Sequence, residues 1–274
     1  MRLLIFGLGY SAKRIAALAA EQGAIVTATT RDGRSATLRF DDADAVLPAL
    51  AAATHVLSSV PPQAEAEPVL TTYGDRLSGK WLGYLSSTGV YGDTGGAWVD
   101  ETASVGGRRP ARAAADLAWL ALNARVFRLP GIYGPARSAL DRVRTGEAHR
   151  VGGDGVFSRI HVEDLAAGVV AGFEAPAGAY NLADGLPASH DSVIEFASDL
   201  LDVPPPPIVA LERLSPMARS FHLENRRVSA QKAHRVLGWS PCYPDYRAGL
   251  RAVSATTSPI AASTAPPTAS GVQR

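Results

Sequence analysis

The chain has 274 residues, of which 46% are hydrophobic and 19% are charged, and its formal net charge is +1. Such a chain can bury a substantial core, as one large domain or two interlocked ones, and it has no basic field for nucleic acid or anionic lipid. These numbers exclude a polybasic binding protein and favour a small-molecule partner.

Cysteine and histidine usage bears on redox compartment and metal binding. The chain contains one cysteine, Cys242, and six histidines without HxxxH or HxH spacing. One cysteine allows neither an intrachain disulfide nor a thiolate cluster, and the histidine spacing argues against a local metal site. The N-terminus lacks a signal-peptide pattern, and no apolar stretch approaches the thickness of a bilayer. We therefore expect a cytoplasmic protein without metal or membrane partner, whose oligomeric state stays open.

From residue 1 to about residue 170, β-rich runs alternate with Ala/Leu-rich helical runs. Strand-like runs lie at residues 2–7, 24–30, 36–40 (the weakest), 55–60, 81–87 and 124–131. Helical runs lie at residues 11–22, 43–53 and 113–120, and a later helix starts at Glu163. This alternation predicts the α/β fold class, with βαβ units on a doubly wound parallel sheet whose apolar strands are covered on both faces.

After Ile132 the alternation becomes irregular, which predicts a smaller lobe interleaved with the last sheet elements. We assign residues 1–133 and about 157–180 to the sheet domain, and residues 134–156 and 181–253 to a lobe that would bind the substrate. Residues 254–274 are mostly Ser, Thr, Ala and Pro. Because almost no large apolar residues occur there, this composition predicts a disordered tail.

The junction after the first predicted strand reads GLGYSA from residue 7 to residue 12. Gly7 would permit a tight turn, Gly9 would let the backbone approach a pyrophosphate, and Ala12 is small enough for close helix–strand packing. The following helix N-terminus offers free N–H groups to an anion. Because this pattern lies between a strand and a helix, it predicts a Rossmann-type dinucleotide site that includes Tyr10 and Ser11, rather than a merely structural turn.

The end of the second predicted strand bears on which dinucleotide is bound. An NAD site would place Asp or Glu there, whereas residues 29–31 are Thr-Thr-Arg. Arg31 could pair with a 2′-phosphate, which favours NADP(H) and leaves NAD possible; the alternative is a solvated surface arginine. Asp41 could contact the adenine or cap the next helix. Ser59 and Pro61, after the fourth strand, would line the cofactor cleft or form a rigid loop.

Four further segments carry a family resemblance. They are residues 85–92 (LSSTGVYG), 128–135 (RLPGIYGP), 159–166 (RIHVEDLA) and 180–182 (YNL). Together with the glycine turn, in this order and spacing, they resemble an extended short-chain dehydrogenase/reductase of the NAD-dependent epimerase/dehydratase group, over roughly residues 1–250. The resemblance implies the Rossmann fold of that family and places Pro130 and Gly131 beside the nicotinamide.

The resemblance breaks at the catalytic helix. In the family, a Ser or Thr four residues before the Tyr of the VYG motif acts with a Tyr-x-x-x-Lys pair on the next long helix. Ser87 matches the first position, but no Tyr-x-x-x-Lys occurs in this chain. Aligning Asp116 with the acidic residue of the helix motif places Arg112 at the lysine position and Arg108 at the tyrosine position. The chain therefore resembles atypical members that keep the cofactor site and lose the standard tetrad.

An unusual proton donor is then required. Arg112 could hold a ribose or an anion, but arginine stays protonated and does not transfer a proton at neutral pH. Candidate donors are Ser87 with water, Tyr91, or the substrate itself. Alternatively, Ser87 satisfies backbone groups at the strand end, and Tyr91 packs with its hydroxyl tied off. His161 is expected to be structural, near a helix start.

We predict an NADP(H)-binding oxidoreductase or epimerase that acts on a carbonyl or hydroxyl group of a small molecule. Two alternatives stay open. The first is a non-catalytic NADP(H) sensor, which the missing Tyr and Lys support. The second is a sugar-nucleotide epimerase with a remodelled site.

Overall fold

The computed structural model describes residues 1–257 except 64, 65, 108, 154, 217, 218, 220, 221 and 223. The first elements are β1 (Arg2–Phe6), α1 (Tyr10–Glu21), β2 (Ile25–Thr30), β3 (Leu38–Arg39), α2 (Ala43–Ala52), β4 (His55–Ser58), α3 (Pro68–Tyr73), β5 (Trp81–Ser87), β6 (Trp98–Val99), α4 (Pro110–Ala121), β7 (Arg125–Leu129), β8 (Gly131–Tyr133) and α5 (Ala139–Arg144). They are followed by β9 (Val156–Phe157), β10 (Arg159–His161), α6 (Val162–Ala171), β11 (Gly178–Asn181), β12 (Ala188–Ser189), α7 (His190–Leu200), β13 (Arg227–Val228), α8 (Gln231–Leu237) and α9 (Tyr246–Thr257). No helix within the described ranges is long and apolar enough to cross a membrane.

Seven strands form one parallel sheet in the order β3-β2-β1-β4-β5-β7-β11. The chain winds outward from β1 in one direction and from β4 in the other, so the strand order reverses between β1 and β4. This topology confirms the predicted α/β Rossmann-type sheet. It also fixes the crevice at the carboxyl ends of β1 and β4 as the place where a ligand would bind.

Apolar strands explain why helices cover both faces of the sheet. In β1, Leu3 and Ile5 point into one apolar cluster with α1 and α6, whereas Leu4 and Phe6 point into another with α2, α3 and α4. All four side chains are at most 1% exposed. Because successive strand residues point to opposite faces, a strand that is apolar throughout requires cover on both sides.

A third apolar cluster holds the elements that follow β7. It packs α5, α7 and α9 around buried residues such as Leu140, Ile194 and Leu250. Three two-stranded ladders connect these elements to the main sheet domain: β8 with β10, β9 with β12, and β6 with β13. In the first of them, Gly131 lies opposite Arg159, which brings the RLPG and RIHV segments side by side.

The structure corrects two element boundaries. Helix α9 continues to Thr257, so residues 254–257, which the composition assigned to a disordered tail, are helical; residues 258–274 lie outside the described part of the chain. The weak strand predicted at residues 36–40 shortens to β3, because Ser35 and Ala36 have φ values of 56° and 58°. Left-handed backbone of this kind does not continue a strand.

Candidate active site

The carboxyl ends of β1, β4, β5 and β7 border a cleft of about 820 Å³, which we call the main cleft. Most residues that the sequence predicts for the site line it: Gly9, Tyr10, Ser11, Ala12, Ser59, Pro61, Ser87, Arg112, Pro130 and Gly131. The predicted site residues Gly7, Arg31, Asp41 and Tyr91 lie outside its lining. Segments that are distant in the sequence therefore converge at the point where the strand order reverses.

Gly7 shapes the turn after β1 without lining the main cleft. Its φ is +84°, and a Cβ there would lie 3.0 Å from Ser59 Oγ. The Ser59 hydroxyl donates to the Gly7 carbonyl. The Gly7 and Leu8 amides donate to Thr29 Oγ1 at 3.3 Å and to the Thr29 carbonyl at 3.0 Å. Left-handed backbone and this close contact require glycine at position 7.

Gly9 leaves open space at the start of α1. It is the N-cap residue of this 12-residue helix, and no side chain caps the first amides. A Cβ at Gly9 would meet no protein atom within 4 Å, although the residue lines the main cleft. The uncapped N–H groups and the positive end of the helix dipole favour an anion there. The turn therefore fits the pyrophosphate of a dinucleotide.

Tyr10 connects this turn to the smaller lobe. Its hydroxyl donates to the Pro135 carbonyl at 3.0 Å, and the Arg137 guanidinium carbon lies 5.5 Å from the centroid of its ring. Burial raises the pKa of the Tyr10 phenol. Tyr10 thus holds the lobe against the glycine turn, and its hydrogen-bonded phenol is not set up to donate a proton to a substrate.

The loop after β2 carries Arg31 and an acid that the sequence analysis did not weigh. Arg31 is exposed, and among the described residues its side chain makes no hydrogen bond or ion pair. Asp32 follows it and accepts a hydrogen bond from Thr30 Oγ1 at 3.2 Å, with Arg34 Nε 3.6 Å from the same carboxylate. Both contacts use Oδ1 of an exposed carboxylate, so Arg31 and Asp32 can both meet a ligand at this strand end.

Asp41 does not cap α2. Its carboxylate accepts hydrogen bonds from Arg39 Nε at 3.1 Å and Arg39 Nη2 at 2.9 Å. The cap is the next residue, Asp42, which accepts from the Ala45 amide at 3.2 Å. The capping interpretation of Asp41 is therefore wrong, because the helix begins one residue later than that role requires, whereas contact with the adenine stays a prediction.

Ser87 ends β5 at the floor of the main cleft. Its Oγ accepts a hydrogen bond from the Gly89 amide at 3.1 Å, which is the backbone role considered from the sequence. Among the described residues no protein group accepts the Ser87 hydroxyl hydrogen. Ser87 can therefore satisfy the strand end and still donate to a ligand oxygen in the cleft.

Tyr91 is removed from the candidate proton donors. Its hydroxyl donates to Asn181 Oδ1 at 2.7 Å and accepts from Arg128 Nη1 at 3.0 Å. The side chain is 8% exposed, and burial raises the pKa of its phenol. Because both functions of the hydroxyl are used in the interior, the catalytic assignment of Tyr91 is corrected, and the alternative of a tied-off hydroxyl holds.

Arg128 and Asp116 form the centre of this buried network. Their side chains are joined by two hydrogen bonds, at 2.8 Å and 3.1 Å, and are 2% and 0% exposed. Ser86 Oγ also donates to Asp116, at 2.6 Å. The network links α4, β5 and β7 at Ser86, the residue before Ser87. The sequence matched Asp116 to the acid of the helix motif. In the structure Asp116 stabilises the strand ends that border the main cleft, through Ser86 and Arg128.

Arginines border the main cleft at the start of α4. Arg109 is the N-cap residue, Pro110 occupies the first turn, and Arg112 follows on the same side. Among the described residues Arg112 makes no ion pair. Arg108, which the sequence aligned with the family tyrosine, lies outside the described residues. A free guanidinium in the cleft wall favours a negatively charged group there.

Sequence analysis missed two residues of the main cleft, Glu224 and Arg226. Their side chains are 14% and 12% exposed, and Arg226 Nη1 lies 2.5 Å from Glu224 Oε2. Arg226 also donates to the Gly92 carbonyl. Both residues lie in the chain segment directly before β13. No local pattern indicates that it returns to the carboxyl end of β5.

A second cleft, of about 470 Å³, adjoins the main cleft and shares Gly131 and Arg137 with it. Arg142 and Arg159 also line it. Arg159 donates to three backbone carbonyls at 2.8, 2.8 and 3.2 Å, and burial lowers its pKa to about 10, so it stays protonated at neutral pH. Asp141 lines the same cleft but is used in the capping box of α5. Glu147 also lines the second cleft, but its three arginines outnumber the two acids, which favours an anionic ligand.

His161 has the structural role expected from the sequence. It is the N-cap residue of α6, where its Nδ1 accepts from the Glu163 amide at 3.3 Å. Burial, with the nearby charge of Arg14, lowers its pKa to about 4. A neutral, buried imidazole that caps a helix is not a general base for the main cleft.

Solved structures of other proteins share this fold. The chain is 37% identical to a functionally unknown conserved protein from Silicibacter pomeroyi, with a TM-score of 0.84 over 93% of this chain and 98% of that one. A protein from Methylobacillus flagellatus classed as an NAD-dependent epimerase/dehydratase matches the same shares of both chains, with 21% identity and a TM-score of 0.75. The chain has the fold of NAD-dependent epimerase/dehydratase proteins, which are among its structural neighbours.

One curated relative of this chain is a reductase. A 3-diazoavenalumate denitrifying reductase from Streptomyces is 33% identical over 150 residues, which is 50% of this chain and 48% of that protein. The match thus spans about half the length of the curated relative. No family model matches the chain.

No lysine lines either cleft among the described residues. The chain has three lysines, Lys13, Lys80 and Lys232. Lys80 and Lys232 donate to the backbone carbonyls of Ala53 and Ala179, at 2.8 Å and 2.7 Å. The positive charge that borders the main cleft among the described residues is therefore supplied by arginine.

Proposed function

We propose that this chain is an NADP(H)-dependent oxidoreductase that acts on a carbonyl or hydroxyl group of a small anionic molecule. The observation that carries the proposal is the main cleft, where the glycine turn lies with Ser87, Pro130, Gly131 and Arg112. The reductase among its relatives and the NAD-dependent class of its structural neighbour support the same reaction type.

The chain would hold the dinucleotide through backbone and small residues. The free amides of α1 and the open space at Gly9 suit the pyrophosphate, and Pro130 and Gly131 would orient the nicotinamide. When bound, a reduced nicotinamide supplies a hydride, and the oxidised form accepts one. Arg31, at the end of β2, is the group that would select NADP(H), with NAD as the weaker ligand.

Arg31→Ala is expected to weaken NADPH binding roughly 10-fold, because a charge-assisted hydrogen bond to a phosphate contributes about 1.5–3 kcal/mol before solvent screening reduces it. NADH binding should be unchanged, since NADH has no 2′-phosphate. Calorimetric titration with both nucleotides measures the two affinities. Arg76→Ala, at an exposed arginine of a short 3₁₀ turn, is the control. If the affinities for NADPH and NADH fell equally, Arg31 would not bind the 2′-phosphate.

The residues around Ser87 can stabilise negative charge on a substrate oxygen. Reduction of a carbonyl makes its oxygen an alkoxide, to which the Ser87 hydroxyl can donate a hydrogen bond while Arg112 supplies positive charge. Arg226 lies nearby, 4.0 Å from a Cβ built at Gly89. Because arginine stays protonated, water that reaches Ser87 would provide the proton that completes the alcohol.

The second cleft indicates the substrate class. Arg137, Arg142 and Arg159 line it, and it opens from the place where the nicotinamide would lie beside Gly131. A carboxylate or phosphate would meet guanidinium groups there, which bind such anions with two parallel hydrogen bonds. We therefore propose a carbonyl or hydroxyl compound that also carries an anionic group.

Ser87→Ala is expected to lower kcat about 100-fold or more, the effect of removing one oxyanion donor, while the affinity for NADPH stays within about twofold. The substrate is first sought with NADPH among carbonyl compounds that carry a carboxylate and their methyl esters, and the acids should turn over faster. Ser78→Ala, at an exposed turn serine, is the matched control. Turnover that survives in the Ser87 variant would remove Ser87 from the mechanism.

A second candidate is a non-catalytic NADP(H) sensor. The specific observation in its favour is that the Tyr91 phenol is held by Asn181 and Arg128 and cannot replace the missing tyrosine. A sensor would bind NADPH with no turnover of the acids, of the esters, or of UDP- and GDP-sugars. Turnover that depends on Ser87 would exclude the sensor, and binding of the sugar nucleotides would point to a remodelled epimerase.

A further inference from the structure

Three histidines from separate parts of the chain meet in the smaller lobe. They are His149, after α5, His190, at the start of α7, and His222, before β13. Their ring centroids lie 5.4 Å, 5.0 Å and 6.1 Å apart for the pairs 149–190, 190–222 and 149–222. One ring nitrogen of each lies within 4.8 Å of those of the other two. We call this group the histidine cluster.

We propose that the histidine cluster binds a divalent transition-metal ion, with zinc as the best match. Zinc binds imidazole nitrogen at about 2.0–2.1 Å, so nitrogens around one tetrahedral ion lie roughly 3.3 Å apart. From a separation within 4.8 Å, each nitrogen would need to move inward by less than about 1 Å. Rotation of the rings about their side-chain bonds covers such a distance.

Hydrogen bonding leaves a ring nitrogen available on His190 and on His149. His190 Nε2 lies 3.0 Å from the His149 carbonyl; since a carbonyl only accepts, Nε2 carries the proton and Nδ1 of the neutral ring keeps its lone pair. A bond from the second ring nitrogen to a carbonyl is the usual partner of a metal-bound histidine. His149 Nε2 is buried and has no hydrogen-bond partner among the residues that the structure describes, which is costly for a polar atom unless a ligand satisfies it.

The backbone around the histidine cluster is fixed. Both carboxylate oxygens of Asp191 accept amide hydrogen bonds from the loop after His149, from Val151 at 3.0 Å and Gly152 at 2.8 Å. The charge of Asp191 also acts on His222 and would attract a cation, whereas the charge of Arg142 opposes one.

The histidine cluster offers three protein ligands and leaves the fourth position to another molecule. Three ligands and an open site are typical of zinc sites that meet water or a substrate. His190 also lines the second cleft beside Arg142 and Arg159. The ion would therefore bind at the wall of the second cleft and add positive charge there. This site does not depend on the proposed oxidoreductase activity, because neither cofactor nor catalytic residue contributes to it.

The test uses the full chain without a histidine affinity tag, stripped with a chelator and titrated with Zn²⁺ by calorimetry. We expect one zinc ion per chain with a dissociation constant of about 1 µM or lower, and a higher melting temperature with zinc present. His149→Gln and His190→Gln should each weaken zinc binding at least about 100-fold, while His234→Gln, at an exposed histidine of α8, should not. Absence of zinc binding, or equal binding by all variants, would overturn the proposal.

Cobalt gives a readout on the unchanged protein, in case a cluster variant fails to fold. Co²⁺ bound by three imidazoles in a near-tetrahedral site absorbs strongly in the visible, whereas hydrated Co²⁺ absorbs weakly. We expect this absorption in the wild-type chain and its loss when zinc is added in equal amount. A spectrum that stays that of the hydrated ion would show that the cluster is an aromatic contact of the lobe and not a metal site.

Discussion

Asp116→Asn is expected to lower the free energy of unfolding by about 3–5 kcal/mol, because it leaves the Arg128 guanidinium buried without a counter-charge. Arg128 is 2% exposed and Asp116 is fully buried, so water cannot replace the lost carboxylate. Urea unfolding, followed by fluorescence and by circular dichroism, measures the change. A second expected effect is a less rigid backbone at Ser87, because the single amide oxygen of Asn must replace the two carboxylate oxygens that accept from Ser86 and Arg128.

A matched control separates the buried pair from the loss of any aspartate. Asp199→Asn lies on the exposed side of α7 and should change the unfolding free energy by less than about 0.5 kcal/mol. If Asp116→Asn changes the free energy of unfolding no more than Asp199→Asn does, the Arg128 charge does not need the Asp116 carboxylate for its stability. The buried network would then not be what holds β5, β7 and α4 together.

Gly9→Ala is expected to weaken binding of both NADPH and NADH roughly 10- to 100-fold, because a methyl group would occupy the space that a pyrophosphate needs, and overpacking costs about 1–3 kcal/mol. The melting temperature should stay nearly constant, since a Cβ at Gly9 meets no protein atom within 4 Å and its φ is −82°. Calorimetric titration with each nucleotide, and a thermal melt without nucleotide, measure the two effects.

Gly74→Ala is the control for this variant. A Cβ at Gly74 also meets nothing within 4 Å, and its φ of −52° and ψ of −44° are helical, but the residue lies far from the glycine turn in the fold. Both nucleotide affinities should be unchanged there. If Gly9→Ala keeps the wild-type affinity, the dinucleotide does not approach the backbone at Gly9, and the proposed cofactor site is wrong.

The charged groups of the main cleft differ from those of the family that the sequence resembles. The usual phenol and ammonium are missing, and the tyrosine of the VYG motif is held in the interior by Asn181 and Arg128. The Tyr10 phenol and the Glu224 carboxylate that line the main cleft are engaged with Pro135 and Arg226. The serine hydroxyl and guanidinium groups beside them stabilise charge without transferring a proton at neutral pH. A reaction here would depend on water for its proton, which is the main chemical consequence of the altered helix.

By itself the sequence determined the sheet domain and the cofactor turn. The strands are apolar throughout, and the residues that form the glycine turn and begin α1 are consecutive from Gly7 to Ala12. Patterns of this kind can be read locally, because the turn, the first helix amides and their packing all depend on neighbours in the chain. Ser87 was also found in this way, since it lies directly at the end of a predicted strand.

Only the tertiary structure decided which side chains meet. It brings Asn181 to Tyr91, which are 90 residues apart in the chain, and so removes a candidate acid that local patterns left open. It returns Glu224 and Arg226 to the main cleft and assembles the histidine cluster, although no histidine spacing predicts it. The physical reason is that contacts between distant segments depend on how helices and strands pack, and spacing along one segment does not record them.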